Sequence, residues 1–413
     1  MVKPERRTRT DVAVAAAIAA IVAIAAVAIW WTSDARATQS RPADAPSKSI
    51  PPADAVPAAL DELWSAPSAT TDLPLVASGT VVTGDGSTVE GRDPLTGETR
   101  WSYARDRQLC GVTWVYQYAV AVYPDVRGCG QVSTIDSSTG RRGPARTGYA
   151  DDRVRLSSDG TVVLSTGSTR LELWRSDMVR MIGFGEVDAR VKPNQTGLGQ
   201  GCAITSAAAS PLAVSLLQAC PGEVDVRLTL LRPGDEDDEP TQRDVPQPDV
   251  APDSTARVLA VSDTITAVYL PTPSPRVSVV DQNGAELSST PVPQPPSAAD
   301  PATTVTRAGN LFTWWTGDAV LVFNSDQLTH KFTVEPADGV IPLGPATMMA
   351  DRLLIPVTGG VGVYDSGTGE LERVIDVDRP SMDSGVPVIV PSVVGPTVLE
   401  QRGRTVVALG ARP

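Results

Sequence analysis

Asp93-Pro94-Leu95-Thr96-Gly97-Glu98-Thr99-Arg100-Trp101 decides the fold, because the chain writes this phrase more than once. Asp136-Ser137-Ser138-Thr139-Gly140 repeats its first half, and Asp365-Ser366-Gly367-Thr368-Gly369-Glu370 repeats it again near the C-terminus. Weaker echoes stand at Asp281-Gln282-Asn283-Gly284 and around Trp174-Arg175-Ser176-Asp177 and Phe323-Asn324-Ser325-Asp326. An alternating apolar run precedes each clear copy, for instance Gly360-Val361-Gly362-Val363-Tyr364. Between two strands an Asp carboxylate accepts backbone N–H groups and a glycine supplies positive φ, so the phrase reads as the turn of a β-hairpin.

Candidate turns fall near residues 93, 136, 175, 232, 281, 324, 365 and 410. A period of about 40 to 50 residues marks a repeat architecture. The longest gap contains the insertion Pro233-Gly234-Asp235-Glu236-Asp237-Asp238-Glu239-Pro240. Short strand candidates such as Thr161-Val162-Val163-Leu164 and Leu353-Leu354-Ile355-Pro356-Val357 lie between the turns. Four short strands per period form the blade of a β-propeller, an all-β fold. No segment beyond the N-terminus has helical periodicity. Asp61-Glu62-Leu63-Trp64-Ser65 resembles the strand that follows a turn, yet no turn precedes it. Strands at 398–400 and 404–409 lack that following strand at the other end. Joining the two ends removes an open sheet edge and gives eight blades, with seven the alternative count.

Asp-x-x-Thr-Gly-x-x-x-Trp, complete in Asp93, Thr96, Gly97 and Trp101, resembles the repeat of the pyrroloquinoline-quinone (PQQ)-like β-propellers. The resemblance runs from about residue 60 to the end. It implies that the glycine ends a hairpin and that Trp101 docks on the neighbouring blade. Asp136, Thr139, Gly140 and Asp365, Thr368, Gly369 keep the turn, while Pro144 and Arg373 stand where the tryptophan would follow. Quinone-dependent dehydrogenases with this repeat hold their cofactor with a disulfide between adjacent cysteines and a calcium site. No two cysteines here are neighbours, so no cofactor is expected. Asp235 to Glu239 are read as a solvated insertion rather than calcium ligands, and no metal site is expected.

The first residues concern location. Lys3, Arg6, Arg7 and Arg9 precede an uncharged apolar stretch, residues 12–31, that ends in Trp30 and Trp31. At about 1.5 Å per residue it spans the roughly 30 Å hydrocarbon core, and the basic flank places the N-terminus in the cytoplasm. A cleaved signal peptide is the competing reading, since Ala35-Arg36-Ala37 is an A-x-A site; the apolar stretch is long for one. The expected organisation is a cytoplasmic tail (1–11), a transmembrane helix (12–31), a Pro/Ala-rich linker (32–59) and an extracytoplasmic propeller (60–413). The linker is read as a semi-extended spacer that holds the propeller off the cytoplasmic membrane without packing against it.

The four cysteines form two similarly spaced pairs, Cys110…Cys129 and Cys202…Cys220, each bracketing a candidate hairpin. Local pairing suits an oxidising compartment, although four cysteines allow three connectivities. A net charge of −13 argues against nucleic acid as a partner. Only four of the 35 basic residues are lysine, a bias that suggests a GC-rich genome such as that of an actinobacterium.

No catalytic motif is present: no G-x-S-x-G elbow, no P-loop, no H-E-x-x-H and no G-x-G-x-x-G. The single histidine, His330, sits in a strand-like run. An enzyme is therefore not expected. Aromatic clusters are the candidate contact sites: Trp114 and Tyr116, which together with Tyr118 are expected on one face of a strand, and Trp314 and Trp315, which must point to opposite faces. At least one of that last pair is expected to pack between blades. The functional expectation is a non-catalytic, membrane-anchored propeller serving as an interaction platform for envelope proteins in cell-envelope biogenesis. The alternative is a ligand-binding ectodomain that captures an envelope lipid or glycan.

Overall fold

A computed structural model describes residues 8–187, 199, 201–235, 239–293, 296, 304–379 and 388–411. The described residues form an eight-bladed β-propeller behind one long N-terminal helix, Arg9–Thr32, and a single helical turn, Asp34–Ala37. Each blade is an antiparallel meander of at least four strands in radial order. Blade 2 is representative, with Gly111–Val115 innermost, then Tyr118–Asp125, Gly128–Asp136 and Arg142–Thr147 at the rim. Burial peaks in the middle of each blade. Second strands are covered on both faces, as in Leu311–Trp315, where every residue is buried, while innermost strands such as Val305–Ala308 and rim strands such as Thr241–Pro246 are only partly covered.

Eight hydrophobic clusters hold the ring, one at each blade boundary. Trp101 and Tyr123, for example, meet between blades 1 and 2, and Trp314 and Tyr269 between blades 5 and 6. The apolar mass is thus distributed around an axis, which leaves the axis itself for a channel. A buried carboxylate reinforces the boundary of blades 2 and 3. Glu172 accepts from Arg146 (2.6 Å), Arg170 (2.6 Å), Arg180 (3.2 Å) and the Trp174 indole (2.8 Å).

The repeated phrase is the turn between the third and fourth strands. The Asp93 carboxylate accepts the N–H groups of Leu95 and Thr96, Asp136 those of Ser138 and Thr139, and Asp365 those of Gly367 and Thr368. Each threonine hydroxyl in turn accepts the N–H two residues on. Gly97 and Gly140 need to be glycine twice over. Their φ values are 73° and 72°, and a Cβ there would lie 2.6 Å from the Trp64 ring and 2.4 Å from Trp101.

Those two contacts reveal the rule of the repeat: a rim-strand aromatic docks beneath the turn of the next blade. Trp101 of blade 1 donates its indole N–H to the Ser137 carbonyl of blade 2 (2.8 Å). Trp64 does the same to the Pro94 carbonyl of blade 1 (3.0 Å). Phe332 takes the place under Gly369. Trp64 lies on Leu60–Pro67, the rim strand of blade 8, whose other strands are Ile389–Val394, Thr397–Arg402 and Thr405–Ala411. Leu60 pairs with Ala411 and Pro67 with Thr405, so the two ends of the chain close one blade.

The linker departs from expectation. Gln39–Arg41 adds a fifth strand to the rim of blade 1, pairing Gln39 with Ala104 and Arg41 with Ser102. The following residues lie on the ring rather than standing clear of it. Their prolines fix an extended backbone whose donors and acceptors are left to find partners, and the turns of the ring supply them.

Candidate binding surfaces

In a meander of this kind the first-to-second and third-to-fourth turns emerge on one face of the ring, here termed upper. The second-to-third turns and the blade-to-blade connections emerge on the lower face. The linker leaves its strand on the upper side and crosses that face as a strap. Ala43 N–H donates to the Thr139 carbonyl and Ser47 N–H to the Ser138 carbonyl, each at 2.9 Å, and Ser47 Oγ donates to the Ser78 carbonyl at 2.6 Å. Arg100 and Arg373 donate to the carbonyls of Ala45 and Val56. Ile50 packs at the boundary of blades 8 and 1, and Ala53 and Val56 at that of blades 7 and 8. A cavity of about 580 Å³ remains beneath the strap, bordered by Ile50, Val76, Met348 and Val394.

Over the rest of the upper face no described residue forms a strap. Tyr116 at the inner turn of blade 2, Val179 in blade 3 and Leu212 in blade 4 stand 53%, 50% and 52% exposed. Tyr116 reverses the chain with φ of 48°, and its N–H donates to the Gly160 carbonyl of blade 3. Within the ring lies a second cavity of about 330 Å³, lined by innermost strands of all eight blades.

The aromatic candidates divide accordingly. Trp114 lines the channel. The left-handed turn breaks the alternation expected for its neighbours, so Tyr116 sits on the upper rim and Tyr118 starts the next strand, half-buried. Trp314 and Trp315 are corrected: both are fully buried and unavailable to a ligand. Trp314 packs against Tyr269 (centroids 5.2 Å apart) toward blade 5. Trp315 packs toward blade 7, its indole donating to the Pro342 carbonyl at 3.0 Å. Opposite strand faces here are opposite blade boundaries, so both tryptophans are core.

Cys110 is joined to Cys129 and Cys202 to Cys220. His330 lies on the rim strand of blade 6, within 2.9 Å of Thr333 Oγ1 and edge-on to Phe323; burial holds its pKa below the usual imidazole range. No cluster of three His, Cys, Asp or Glu side chains converges among the described residues. Residues 236–238 of the acidic insertion lie outside the described residues, as do Lys3, Arg6 and Arg7.

Sequence reading did not find the channel arginines, Arg155, Arg257 and Arg307. A signal was there: Arg155 and Arg257 are each the first residue of an innermost strand. It did not find Leu212 or the strap either, because a Pro-rich stretch has no periodicity to betray docking.

No protein-family model and no curated protein matches the chain. Among solved structures it is similar to Sqt1 from Chaetomium thermophilum, at 12% identity over 88% of this chain and 100% of that one, with a TM-score of 0.54. The C-terminal WD40 domain of Sif2 matches at 12% identity over 87% and 100% of the two chains, TM-score 0.51. BamB from Moraxella catarrhalis matches at 14% identity over 86% and 98%, TM-score 0.47. At such identities the likeness concerns the propeller fold alone, and the resemblance to a PQQ-like repeat rests on the turn residues themselves.

Proposed function

We propose that this chain is a non-catalytic, membrane-tethered interaction platform of the cell envelope, offering the strap-free part of its upper face to partner proteins. The observation that carries this reading is the path of the N-terminal segment. The helix Arg9–Thr32 is long and apolar enough to cross a bilayer, with mean hydropathy 2.9 and no buried residue. Strand Gln39–Arg41 then enters blade 1 from the lower side, because Gln39 pairs with Ala104 at the lower end of the rim strand. Residues 33–38 alone separate helix from ring, a reach of at most roughly 20 Å for an extended chain. In this reading the lower face lies near the membrane and Tyr116, Val179 and Leu212 point away from it. Two disulfides and the basic N-terminal flank support an extracytoplasmic ring with the N-terminus inside. The PQQ-like turns support envelope biogenesis as its setting.

A photo-crosslinking residue at Leu212 tests the platform in living cells, with Val126, 98% exposed on the lower face, as control. The expected result is a discrete adduct with an envelope protein from Leu212 and none from Val126. Absence of an adduct at Leu212, or the same adduct from both positions, contradicts the platform. The second reading, a ligand-binding ectodomain, is favoured by the channel.

A further inference from the structure

The channel differs from the rest of the molecule in the sign of its charge. Among its lining residues are three arginines, Arg155, Arg257 and Arg307, and two carboxylates, Asp72 and Asp159. The chain as a whole carries −13, so a cationic excess inside it is local. Guanidinium groups stay charged at any physiological pH, and a low-dielectric wall focuses their field into the cavity. Arg155 and Arg257 are engaged by neighbouring groups; Arg257 is 5% exposed and its Nε donates to the Thr255 carbonyl at 3.3 Å. Arg307 is different. It is exposed on the innermost strand of blade 6, and its hydrogen bond among the described residues is a long one, 3.5 Å, to the Val261 carbonyl. A guanidinium carries five N–H donors in a planar fork that matches phosphate and carboxylate oxygens.

Around these charges the wall mixes hydroxyl and apolar side chains, the apolar ones contributing more of its surface. Trp114, Leu156, Val258, Leu259 and Phe312 border the same space. A cavity of 150 Å³ holds one benzene, so about 330 Å³ accommodates an alkyl chain of roughly ten carbons on the same scale. Arg307, next to the last residue of its strand, offers a place for an anion and the apolar side chains a place for hydrocarbon, and together they define a ligand class.

We propose that the central channel is a binding site for an anionic amphiphile, an alkyl or acyl chain bearing a phosphate or carboxylate head, with Arg307 as its principal anchor. The site needs only the ring and does not depend on the upper face serving partner proteins.

The test uses the full chain in phosphatidylcholine nanodiscs, titrated calorimetrically with octyl phosphate, with octanoate and with neutral octanol, against empty nanodiscs. Saturable binding of one or both anions, at least tenfold tighter than octanol, is expected; the tighter of the two identifies the head group. Arg307→Gln should weaken it at least tenfold with an unchanged melting temperature, and Arg307→Lys should restore part of the loss. Three results overturn the proposal: no saturable uptake of either anion, octanol binding as tightly as the anions, or Arg307→Gln binding as tightly as the unsubstituted chain.

Discussion

The upper face of the ring is two surfaces built from the same kind of turn. Over blades 7, 8 and 1 and the outer turn of blade 2 the chain's own residues 43–57 lie across the turns, and Ile50, Ala53 and Val56 fill the apolar gaps. Over the inner turn of blade 2 and over blades 3 and 4 no described residue covers the turns, and Tyr116, Val179 and Leu212 stay half exposed. Exposed apolar turn residues are therefore not a general cost of the fold. Where described residues of the strap cover the turns, apolar side chains fill the gaps; elsewhere apolar turn residues stay half exposed.

The strapped side also closes the ring, so it should be the more fragile under mutation. Deleting residues 60–66 removes the rim strand of blade 8 and exposes the edge of Thr405–Ala411. Loss of the cooperative unfolding transition is expected, read by circular dichroism on heating; a single transition at the original temperature would contradict the closure.

Next in size are the docking tryptophans. Trp101→Ala and Trp64→Ala should each cost about 3–5 kcal/mol in denaturant titrations, the range for emptying a buried aromatic site. Tyr116→Ala and Leu212→Ser on the uncovered side should shift stability by less than about 0.5 kcal/mol. Similar costs on both sides would erase the distinction.

Acid should probe the uncovered side. Burial pushes the Glu172 carboxyl up, but Arg146, Arg170 and Arg180 together with the Trp174 indole outweigh it and hold its pKa below 4.5. A folded-state pKa below the unfolded one contributes stability that is complete above the unfolded value and fades as pH falls below about 4.5. Glu172→Gln should flatten that acid limb in stability measured from pH 6 to pH 3, at a cost in stability at neutral pH. An unchanged acid limb would place the pH sensitivity elsewhere.

The smallest global effect is expected from Ile50→Asp, which puts a carboxylate into the cluster at the boundary of blades 8 and 1. Tryptic cleavage after Lys48 should accelerate while the ring's melting temperature moves little. Unaltered cleavage would mean that Ile50 does not hold the strap.

Legibility in the sequence followed periodicity. Asp93, Thr96 and Gly97 were readable because a turn writes its chemistry into adjacent residues, and the orphan strand around Trp64 gave away the closure and the eighth blade. The docking rule was only half visible, since its glycine and its aromatic belong to successive blades: Trp101 answers to Gly140, and Trp64 to Gly97. Trp314 and Trp315 looked like contact residues because strand alternation says that neighbours diverge; it does not say that a propeller buries both faces of an inner strand. The channel arginines come to line one cavity only after the ring closes, and no local pattern marks that. Residues 42–57 have no periodicity and carry only three scattered charges, Asp44, Lys48 and Asp54, so their seat on the turns is a tertiary fact.

That seat is the central claim, since it sets which part of the upper face is left uncovered. Amide hydrogen exchange at Ala43 and Ser47 tests it directly, because both N–H groups donate to carbonyls of blade 2. Exchange at least about 100-fold slower than for an unstructured chain is expected. Exchange at the unstructured rate would contradict the strap and return residues 42–57 to the role of a free spacer.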